Sequence, residues 1–238
     1  MLNLLPVAIL AGGLATRLHP LTDRVPKSLL RVAGRPFIFH QLELLREQGV
    51  RRVVLCLGHL GEQIRTAVEA CLATGLDVSY SFDGARLLGT GGALRKALPL
   101  LGEEWFVLYG DSYLPCSLQH LQAAYRAAQR PALMAVMRND NRWDRSNALL
   151  SDGQLLAYDK RAPRPDMSHI DFGVSVLSHT VFAPYVRTDN LDLADIFHDL
   201  SLRDELAAFE VVERFYEIGS VQGLKDTEEF LSQQARDA

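Results

Sequence analysis

A short apolar run, Val7–Leu10, is followed by Ala11, by two adjacent glycines and then by two basic residues, Arg17 and Lys27. Glycine lets the main chain approach anionic oxygens closely and direct its N–H groups at them. The two basic side chains would add full positive charge beside that backbone. A buried strand followed by Gly12, Gly13, an arginine and a lysine therefore predicts a cradle for a polyphosphate.

The spacing of these residues excludes two common phosphate-binding motifs. The P-loop needs Gly-x-x-x-x-Gly-Lys-Ser/Thr and the dinucleotide fingerprint needs Gly-x-Gly-x-x-Gly, and the sequence contains neither pattern. The run Gly-Gly-x-x-Thr-Arg-Leu-x-Pro-Leu-Thr followed by Pro-Lys, from Gly12 to Lys27, instead resembles the signature of the sugar-1-phosphate nucleotidylyltransferases. Members of that family make nucleoside diphosphate sugars from a nucleoside triphosphate (NTP) and a sugar 1-phosphate.

The resemblance implies which residues hold the NTP. The segment Leu88-Gly-Thr-Gly-Gly-Ala-Leu94 is similar to the family's loop between the nucleotide and sugar pockets. It also opens a helical run, whose first N–H groups could face an anion. Arg17 is expected on the β- and γ-phosphates and Lys27 on the α-phosphate, both as catalytic residues. The expected nucleotide contacts are Leu10, Ala11, Gly12, Gly13, Thr16, Gly89 and Thr90.

Nucleotidyl transfer is an in-line attack by a phosphate oxygen of the sugar phosphate on the α-phosphorus of the NTP. The nucleophile is already ionised, so catalysis needs cations and a divalent metal rather than a general base. Asp111 is the expected metal ligand and a third catalytic residue, because it follows a buried strand at the edge where the pocket should lie. Mg²⁺ prefers one or two carboxylates together with phosphate oxygens and waters.

The resemblance places a second Mg²⁺ ligand at Glu217. The segment Phe215-Tyr-Glu-Ile-Gly-Ser-Val221 corresponds to a family motif that carries an aspartate and a proline where this chain has Glu217 and Val221. A glutamate can still bind Mg²⁺, although its extra methylene changes its reach. The alternative interpretation of Glu217 is a surface carboxylate at the end of a strand.

The sugar-phosphate contacts follow from the same resemblance. Tyr158-Asp159-Lys160 is similar to the family's Glu-Lys-Pro segment, in which the acid binds sugar hydroxyls and the lysine binds the sugar phosphate. Here an aspartate replaces the glutamate and Arg161 replaces the proline. Asp171-Phe-Gly173 matches a site where relatives have Asn-x-Gly. The expected sugar-phosphate contacts are Gly92, Asn147, Asp159, Lys160 and Asp171. In the nearby Arg142–Asn147 segment, Trp143 either stacks on the sugar or anchors the loop.

Composition restricts the partners of the protein. A net charge of −4 without a strongly basic stretch argues against nucleic acid. The histidines lack metal-binding spacing, and the three widely separated cysteines, Cys56, Cys71 and Cys116, are expected to be reduced core residues. No apolar run reaches the roughly 20 residues of a membrane span, and no signal peptide is evident. We therefore expect a cytoplasmic protein whose partners are an NTP and a sugar 1-phosphate. The sequence leaves open whether the chain forms a homo-oligomer.

Short strand-like runs alternate with helical patterns along the 238 residues. This alternation predicts an α/β fold with a mostly parallel central sheet, helices on both faces and ligands at the carboxyl ends of the strands, as in Rossmann-like nucleotidyltransferases. The expected strands are Val7–Leu10, Val53–Leu57, Val78–Phe82, Phe106–Tyr109, Leu133–Met137, Phe172–Leu177 and Phe209–Phe215. The apolar face Ile64, Ala67, Val68, Cys71 and Leu72 predicts one of the helices.

Residues 1–238 are interpreted as a single nucleotidyltransferase domain, in which the polar, turn-rich residues 138–171 form a lid-like excursion that contributes to the sugar pocket. Many relatives continue into a left-handed β-helix with acyltransferase activity. The sequence shows no hexapeptide repeat, which predicts a monofunctional chain.

Within the family, the short length and the Leu88–Leu94 loop are most similar to guanylyltransferases for heptose or mannose 1-phosphate. A cytidylyltransferase for a non-sugar phosphate such as phosphocholine is one alternative, which would need an aromatic or acidic cage for the amine. A non-catalytic nucleotide-sugar-binding regulatory protein is a second, favoured only by the change to Glu217. A glycosyltransferase is a third, but Asp111-Ser-Tyr113 lacks the second acid of its usual Asp-x-Asp site.

Overall fold

The computed structural model describes residues 3–71 and 75–237. Its strands are β1 (Val7–Leu10), β2 (Arg31–Val32), β3 (Arg35–Pro36), β4 (Arg52–Leu57), β5 (Asp77–Phe82), β6 (Glu104–Tyr109), β7 (Ser112–Tyr113), β8 (Ala132–Arg138), β9 (Ala148–Ser151), β10 (Gln154–Tyr158), β11 (His169–Ser178), β12 (Leu206–Val211) and β13 (Tyr216–Glu217). Its α-helices are α1 (Phe37–Glu47), α2 (Gly61–Ala70), α3 (Gly89–Leu101), α4 (Leu118–Ala128), α5 (Leu193–Leu202) and α6 (Val221–Asp237).

A large sheet forms the centre of the fold, in the order β10-β9-β11-β6-β1-β4-β5, and within the described residues β8 and β12 complete it beside β11. Strands β6, β1, β4 and β5 are parallel. β11 runs antiparallel to β6 and β8, and β12 is parallel to β8. The predicted α/β class with a central parallel sheet flanked by helices is confirmed, and the strands beyond β6 add antiparallel pairs to it.

Alternating side chains of β1 enter two different apolar cores. Val7 and Ile9 pack with residues of α1, α2 and α4, whereas Ala8 packs with residues of α3 and α5. A third, smaller cluster joins Tyr113 and Ile218 to Leu231 of α6. Because neighbouring strand residues point to opposite faces, this division places helices on both sides of the sheet. The two cores hold the strand ends that carry the site.

Residues 138–171 lie outside the sheet only in part. Strands β9 and β10 pair as a hairpin at the edge of the large sheet, and β11 begins at His169. Ala148, Leu155 and Tyr158 are buried there and extend the apolar core, which explains why these strands join the sheet. The excursion expected from the sequence is therefore reduced to two loops, residues 139–147 and 159–168.

Two further expectations differ from the structure in detail. The last long strand ends at Val211 rather than at Phe215, because its in-register pairing with β8 stops there and Val212 is 90% exposed. Helix α2 ends at Ala70, so Cys71 is exposed rather than part of the core, while Cys56 and Cys116 are buried as expected. Leu72, expected on the same helix face, lies outside the described residues.

Candidate functional site

Two cavities open at the carboxyl ends of the parallel strands, and Tyr109 and Asp111 line both of them. The first cavity, of about 240 Å³, is lined by the Gly12–Gly13 loop, Lys27 and the start of α3. The second, of about 710 Å³, is lined by residues of the two loops of the excursion, by β11 and by the segment that leads into α6. Asp111 therefore stands where the two cavities meet.

The glycine loop of the first cavity is shaped by a close backbone approach. A Cβ on Gly12 would lie 2.8 Å from the backbone nitrogen of Gly58, so no larger residue fits there without displacement. A Cβ on Gly13 would meet nothing within 4 Å, which leaves this part of the loop uncovered. Leu10, Ala11, Gly12 and Gly13 all line the cavity. The loop thus has the form of a backbone cradle open to a ligand.

The start of α3 contributes Gly89 and Thr90 to the first cavity. Gly89 has φ +76°, and a Cβ there would lie 2.4 Å from the carbonyl oxygen of Leu191. The Thr90 hydroxyl donates to Asp192 Oδ1 (2.9 Å) and accepts from the backbone N–H of Leu193 (2.8 Å). Both residues therefore join this edge of the cavity to the start of α5.

Three of the expected ligand contacts, Gly92, Thr16 and Asp159, line neither cavity. Gly92 lies inside α3, where its N–H donates to the carbonyl oxygen of Leu191 (3.0 Å) and a Cβ would lie 2.9 Å from Leu88 Cβ. Close packing accounts for glycine at this position. Thr16 begins a short 3-10 helix, Thr16–Leu18, and is exposed beside the entrance rather than within the cavity.

Asp111 is positioned by the turn between β6 and β7. Gly110 has no room for a side chain, because a Cβ would lie 2.9 Å from Ala11 Cβ. From the other side, the buried Gln41 donates through Nε2 to the carbonyl oxygens of Tyr109 (2.9 Å) and Ser112 (2.7 Å). A rigid turn with two fixed carbonyls thus sets the direction of the Asp111 carboxylate.

The Asp111 carboxylate is surrounded by charged groups. Lys27 Nζ lies 2.6 Å from its Oδ2. Glu217 follows on β13, which pairs with β7, and the next N–H, of Ile218, donates to the backbone oxygen of Asp111 (2.9 Å). Arg17 lines the second cavity, and its guanidinium and the Glu217 carboxylate both lie within 3.6 Å of a Cβ built on Gly219. The two basic residues and the two acids predicted from the sequence therefore meet at one place.

Burial raises the pKa of Glu217, and the negative charge of Asp111 raises it further, while Arg17 and Lys27 oppose the shift. A carboxyl in this position holds its proton more tightly than usual unless more positive charge arrives. The described residues contain no group of three or more metal-binding side chains. A site with two carboxylates suits a hard cation that takes its remaining ligands from phosphates and water. The donor set fits Mg²⁺.

The buried Asn147 and the partly buried Asp171 form a hydrogen-bonded pair at the wall of the second cavity. The side-chain oxygen of Asn147 accepts from the N–H of Asp171 (2.9 Å), and Asp171 Oδ1 accepts from the N–H of Gly173 (2.9 Å). Burial raises the pKa of Asp171, an effect that Lys160 and the Gly173 N–H partly offset. Lys160 Nζ lies 5.6 Å from the centre of the Tyr109 ring. The three polar residues expected here, Asn147, Lys160 and Asp171, thus line one cavity.

Asp159 does not line the second cavity. Its Oδ1 accepts from the N–H groups of Arg161 and Ala162 (2.8 Å each), which closes the turn that follows β10. These hydrogen bonds lower the pKa of Asp159. The residue is therefore placed to order the turn that carries Lys160.

A family model described as the MobA-like NTP transferase domain matches residues 7–191. The chain belongs to this family. Among similar proteins, a D-glycero-α-D-manno-heptose 1-phosphate guanylyltransferase of Campylobacter jejuni is 25% identical over 210 residues, which cover 87% of this chain and 85% of that protein. A glucose-1-phosphate thymidylyltransferase of Streptomyces antibioticus is 34% identical over 130 residues, 54% of this chain and 36% of the relative. The resemblance inferred from the sequence motifs is confirmed.

The chain is also similar to solved structures. HddC from Yersinia pseudotuberculosis, complexed with GMP-PN, superposes with a TM-score of 0.79 at 24% identity, over 95% of this chain and 99% of that one. At this identity the match establishes the fold. This chain spans less than half the length of three of the relatives it matches in sequence.

Several residues that line the two cavities were not among the expected ligand contacts. Ser28 and Asp83 line the first cavity, and the buried Ser28 Oγ has no hydrogen-bond partner in the described part of the chain. For Ser28, the position directly after Lys27 was the one sequence signal that could have predicted a place in the cavity. Arg214 and Asp226 line the second cavity. No local pattern marks them, because they come together only when the chain folds.

None of the helices in the described part of the chain combines the length and apolar character needed to cross a membrane.

Proposed function

We propose that this chain transfers a nucleotidyl group from an NTP to a sugar 1-phosphate and releases pyrophosphate. The observation that carries the proposal is the position of Asp111, which lines both a glycine-rich cavity and a larger polar one. In-line transfer requires two phosphorylated substrates to meet at one charged point. The polypeptide supplies Lys27, Arg17, Asp111 and Glu217 at that point.

In this proposal the first cavity takes the NTP. The backbone of Gly12 and Gly13 would face its phosphates, and Lys27 would move from the Asp111 carboxylate to the α-phosphate. Arg17 lines the second cavity beside Glu217, so it would reach the phosphates from the sugar side. The sugar phosphate is ionised near neutral pH and needs no proton acceptor, so holding and neutralising the two anions accounts for the rate.

Mg²⁺ is the proposed cofactor, with Asp111 and Glu217 as its protein ligands. When bound, it would neutralise charge on the α-phosphate and the leaving pyrophosphate. The raised pKa of Glu217 suits this role, because an added cation would favour the ionised carboxylate. Asn147, Lys160 and Asp171 would orient the sugar phosphate in the second cavity.

For the substrates we propose GTP with heptose or mannose 1-phosphate. The Campylobacter relative, which matches 87% of this chain, carries the heptose 1-phosphate guanylyltransferase name. The structurally similar HddC protein is complexed with GMP-PN. Other relatives are named as thymidylyltransferases and uridylyltransferases, so dTTP and UTP are the competing nucleotides to test.

A pyrophosphate-release assay tests the proposal directly. ATP, CTP, GTP, UTP and dTTP are each paired with mannose, heptose, glucose and galactose 1-phosphates and with phosphocholine. We expect release with at least one sugar 1-phosphate, and loss of release in Asp111→Asn. Release only with phosphocholine and CTP would favour the cytidylyltransferase alternative. Tight nucleotide-sugar binding without release under any condition would favour a regulatory protein.

A further inference from the structure

A stack of alternating cationic and aromatic groups forms one side of the second cavity. The guanidinium carbon of Arg214 lies 4.0 Å from the ring centre of Trp143 and 4.9 Å from that of Tyr216. Tyr216 in turn stacks on Phe230 of α6, with ring centres 3.9 Å apart and 16° between the planes. Trp143 of the 139–147 loop and the Tyr216 ring, which is itself backed by α6, therefore hold Arg214 in one orientation. A stacked guanidinium gives up little further freedom when it binds a ligand.

Arg214 also belongs to a hydrogen-bonded group that faces the cavity. Its Nη2 donates to Asp226 Oδ2, and Gln222 Nε2 donates to Asp226 Oδ1 (2.7 Å). Arg214, Gln222 and Asp226 all line the second cavity, and the side chains of the Arg214–Asp226 pair are 36% and 25% exposed. The group is thus accessible to a ligand while its protein contacts fix its geometry.

The chemistry of this group favours an uncharged ligand. A guanidinium has five N–H donors. Within the described residues, the Arg214 guanidinium donates to one acceptor, the Asp226 carboxylate. Asp226 balances its charge, and Asp144 adds another negative charge on the same cavity. A hydroxyl can accept from the arginine and donate to the aspartate side by side. A carboxylate beside this pair would be attracted by Arg214 and repelled by Asp226, in a cavity lined by five acidic and three basic side chains.

We infer that Arg214 and Asp226 form a specificity subsite that binds hydroxyl groups of an uncharged sugar, and that Trp143 and Tyr216 are positioning residues for Arg214. The inference rests on the proposed function and adds the class of sugar: a neutral polyol 1-phosphate is accepted and one that carries a carboxylate is rejected. The subsite lies in the same cavity as Asn147, Lys160 and Asp171.

Calorimetry with the full chain, without NTP, tests the subsite separately from turnover. The probes are α-D-mannose and α-D-glucose 1-phosphates and the matched α-D-glucuronic acid 1-phosphate. The wild-type chain should bind the neutral sugars more tightly than the uronic acid. Arg214→Met should weaken binding of the neutral sugars roughly 10- to 100-fold, the range for hydrogen bonds to a charged group. Asp226→Asn should shift the preference at least about tenfold toward the uronic acid, since it removes one negative charge.

Arg142→Met is the matched control. The Arg142 guanidinium lies 5.7 Å from the same Trp143 ring, but the residue does not line the second cavity. Its replacement should leave sugar binding unchanged, and the affinity of all variants for NTP should match that of the wild type. Arg214→Lys, which keeps the charge and loses the planar fork, should recover only part of the lost affinity. It also gives a folded comparison if the methionine variant is unstable.

The subsite would be overturned by tighter wild-type binding of the uronic acid, by absence of binding by every neutral sugar tested, or by equal losses of sugar affinity in Arg214→Met and Arg142→Met. A chain that shows the expected sugar preference but releases no pyrophosphate would refute the transfer reaction and retain the subsite. Pyrophosphate release with unchanged sugar affinity in Arg214→Met would refute the subsite alone.

Discussion

Lys27 Nζ lies 2.6 Å from a carboxylate oxygen of Asp111, the acid that lines both cavities. The ion pair gives Asp111 a counter-ion before any substrate or metal arrives. A metal bound at Asp111 and a phosphate bound at Lys27 would each break this ion pair. When both are bound, the metal takes the place of the ammonium beside Asp111 and the phosphate takes the place of the carboxylate beside Lys27. Binding of metal and of NTP should therefore be coupled through these two side chains.

Lys27→Ala should lower the rate of pyrophosphate release by about 30- to 1000-fold, or roughly 2–4 kcal/mol, because a charge-assisted contact to the transition state is lost. The same change should strengthen binding of Mn²⁺, used as a spectroscopic probe, to the chain without NTP, since the competing ammonium is gone. Electron paramagnetic resonance titration measures the free metal. Arg24→Ala, a change at a nearby exposed residue outside both cavities, is the control. Unchanged turnover and unchanged Mn²⁺ affinity would contradict both roles.

The two acids of the site should differ in their tolerance to substitution. Asp111→Asn should abolish metal-dependent release with the fold intact, whereas Glu217→Asp should retain part of the activity because a carboxylate remains near Arg17. Circular dichroism reports the fold and initial rates report the activity. Full activity of the wild type in excess chelator would rule out both residues as metal ligands.

Metal affinity should also depend on pH through Glu217. Burial raises its pKa, so the carboxyl keeps its proton to higher pH than an exposed glutamate does. Because only the ionised form coordinates a cation, Mn²⁺ affinity should fall as the pH is lowered through this raised pKa. Glu217→Gln should bind more weakly and show a flatter pH dependence. Titrations at several pH values check this, and an equal slope in both proteins would contradict it.

Asp171→Asn should stabilise the protein. Burial raises the pKa of Asp171 in the folded state, so the ionised carboxylate costs free energy of folding. That cost is absent below the ordinary pKa of an aspartate. It grows as the pH rises from the ordinary pKa to the raised pKa, and it reaches its full size above the raised pKa. Asparagine keeps the hydrogen bond accepted from Gly173 and cannot ionise.

The melting temperature of Asp171→Asn should therefore exceed that of the wild type at pH 7 and converge with it in acid. A gain of about 1 kcal/mol corresponds to roughly 2–4 °C for a chain of this size. Ser175→Ala, a change at a buried polar residue of the same strand, shows whether any substitution on β11 has the same effect. A difference that is constant across pH would contradict the electrostatic cause.

Local sequence patterns predicted the parts of the site that follow single strands. Gly12 and Gly13 follow β1 after one alanine, and Asp111 follows β6 after one glycine, so the apolar runs alone locate them. The meeting of Glu217 with Asp111 depends on the pairing of β13 with β7 and was predictable only through the family motif. Arg214 and Trp143 have no such motif, and their contact depends on the tertiary fold.

The β9–β10 hairpin was not predicted from the sequence, although a local signal for it is present. Asp152 and Gly153 were expected within a polar excursion, but both have positive φ, 51° and 76°, and join two strands directly. An Asp-Gly pair between apolar residues is a strong hairpin signal, because such turns match the twist of the flanking strands. The polar composition of residues 138–171 concealed this turn.

The role of Asp159 can be separated into a direct contact and a turn cap. Oδ1 accepts from the N–H groups of Arg161 and Ala162, and asparagine offers an oxygen at the same place. If the residue acts by ordering the turn that carries Lys160, Asp159→Asn should bind sugar 1-phosphate nearly as well as the wild type. Asp159→Ala should lose roughly tenfold or more in affinity, about the worth of one such hydrogen bond to a charged group. Both variants should bind NTP normally. Calorimetry with each ligand measures these values, and an equal loss of sugar 1-phosphate affinity in the two variants would show that the negative charge of Asp159 itself contacts the sugar.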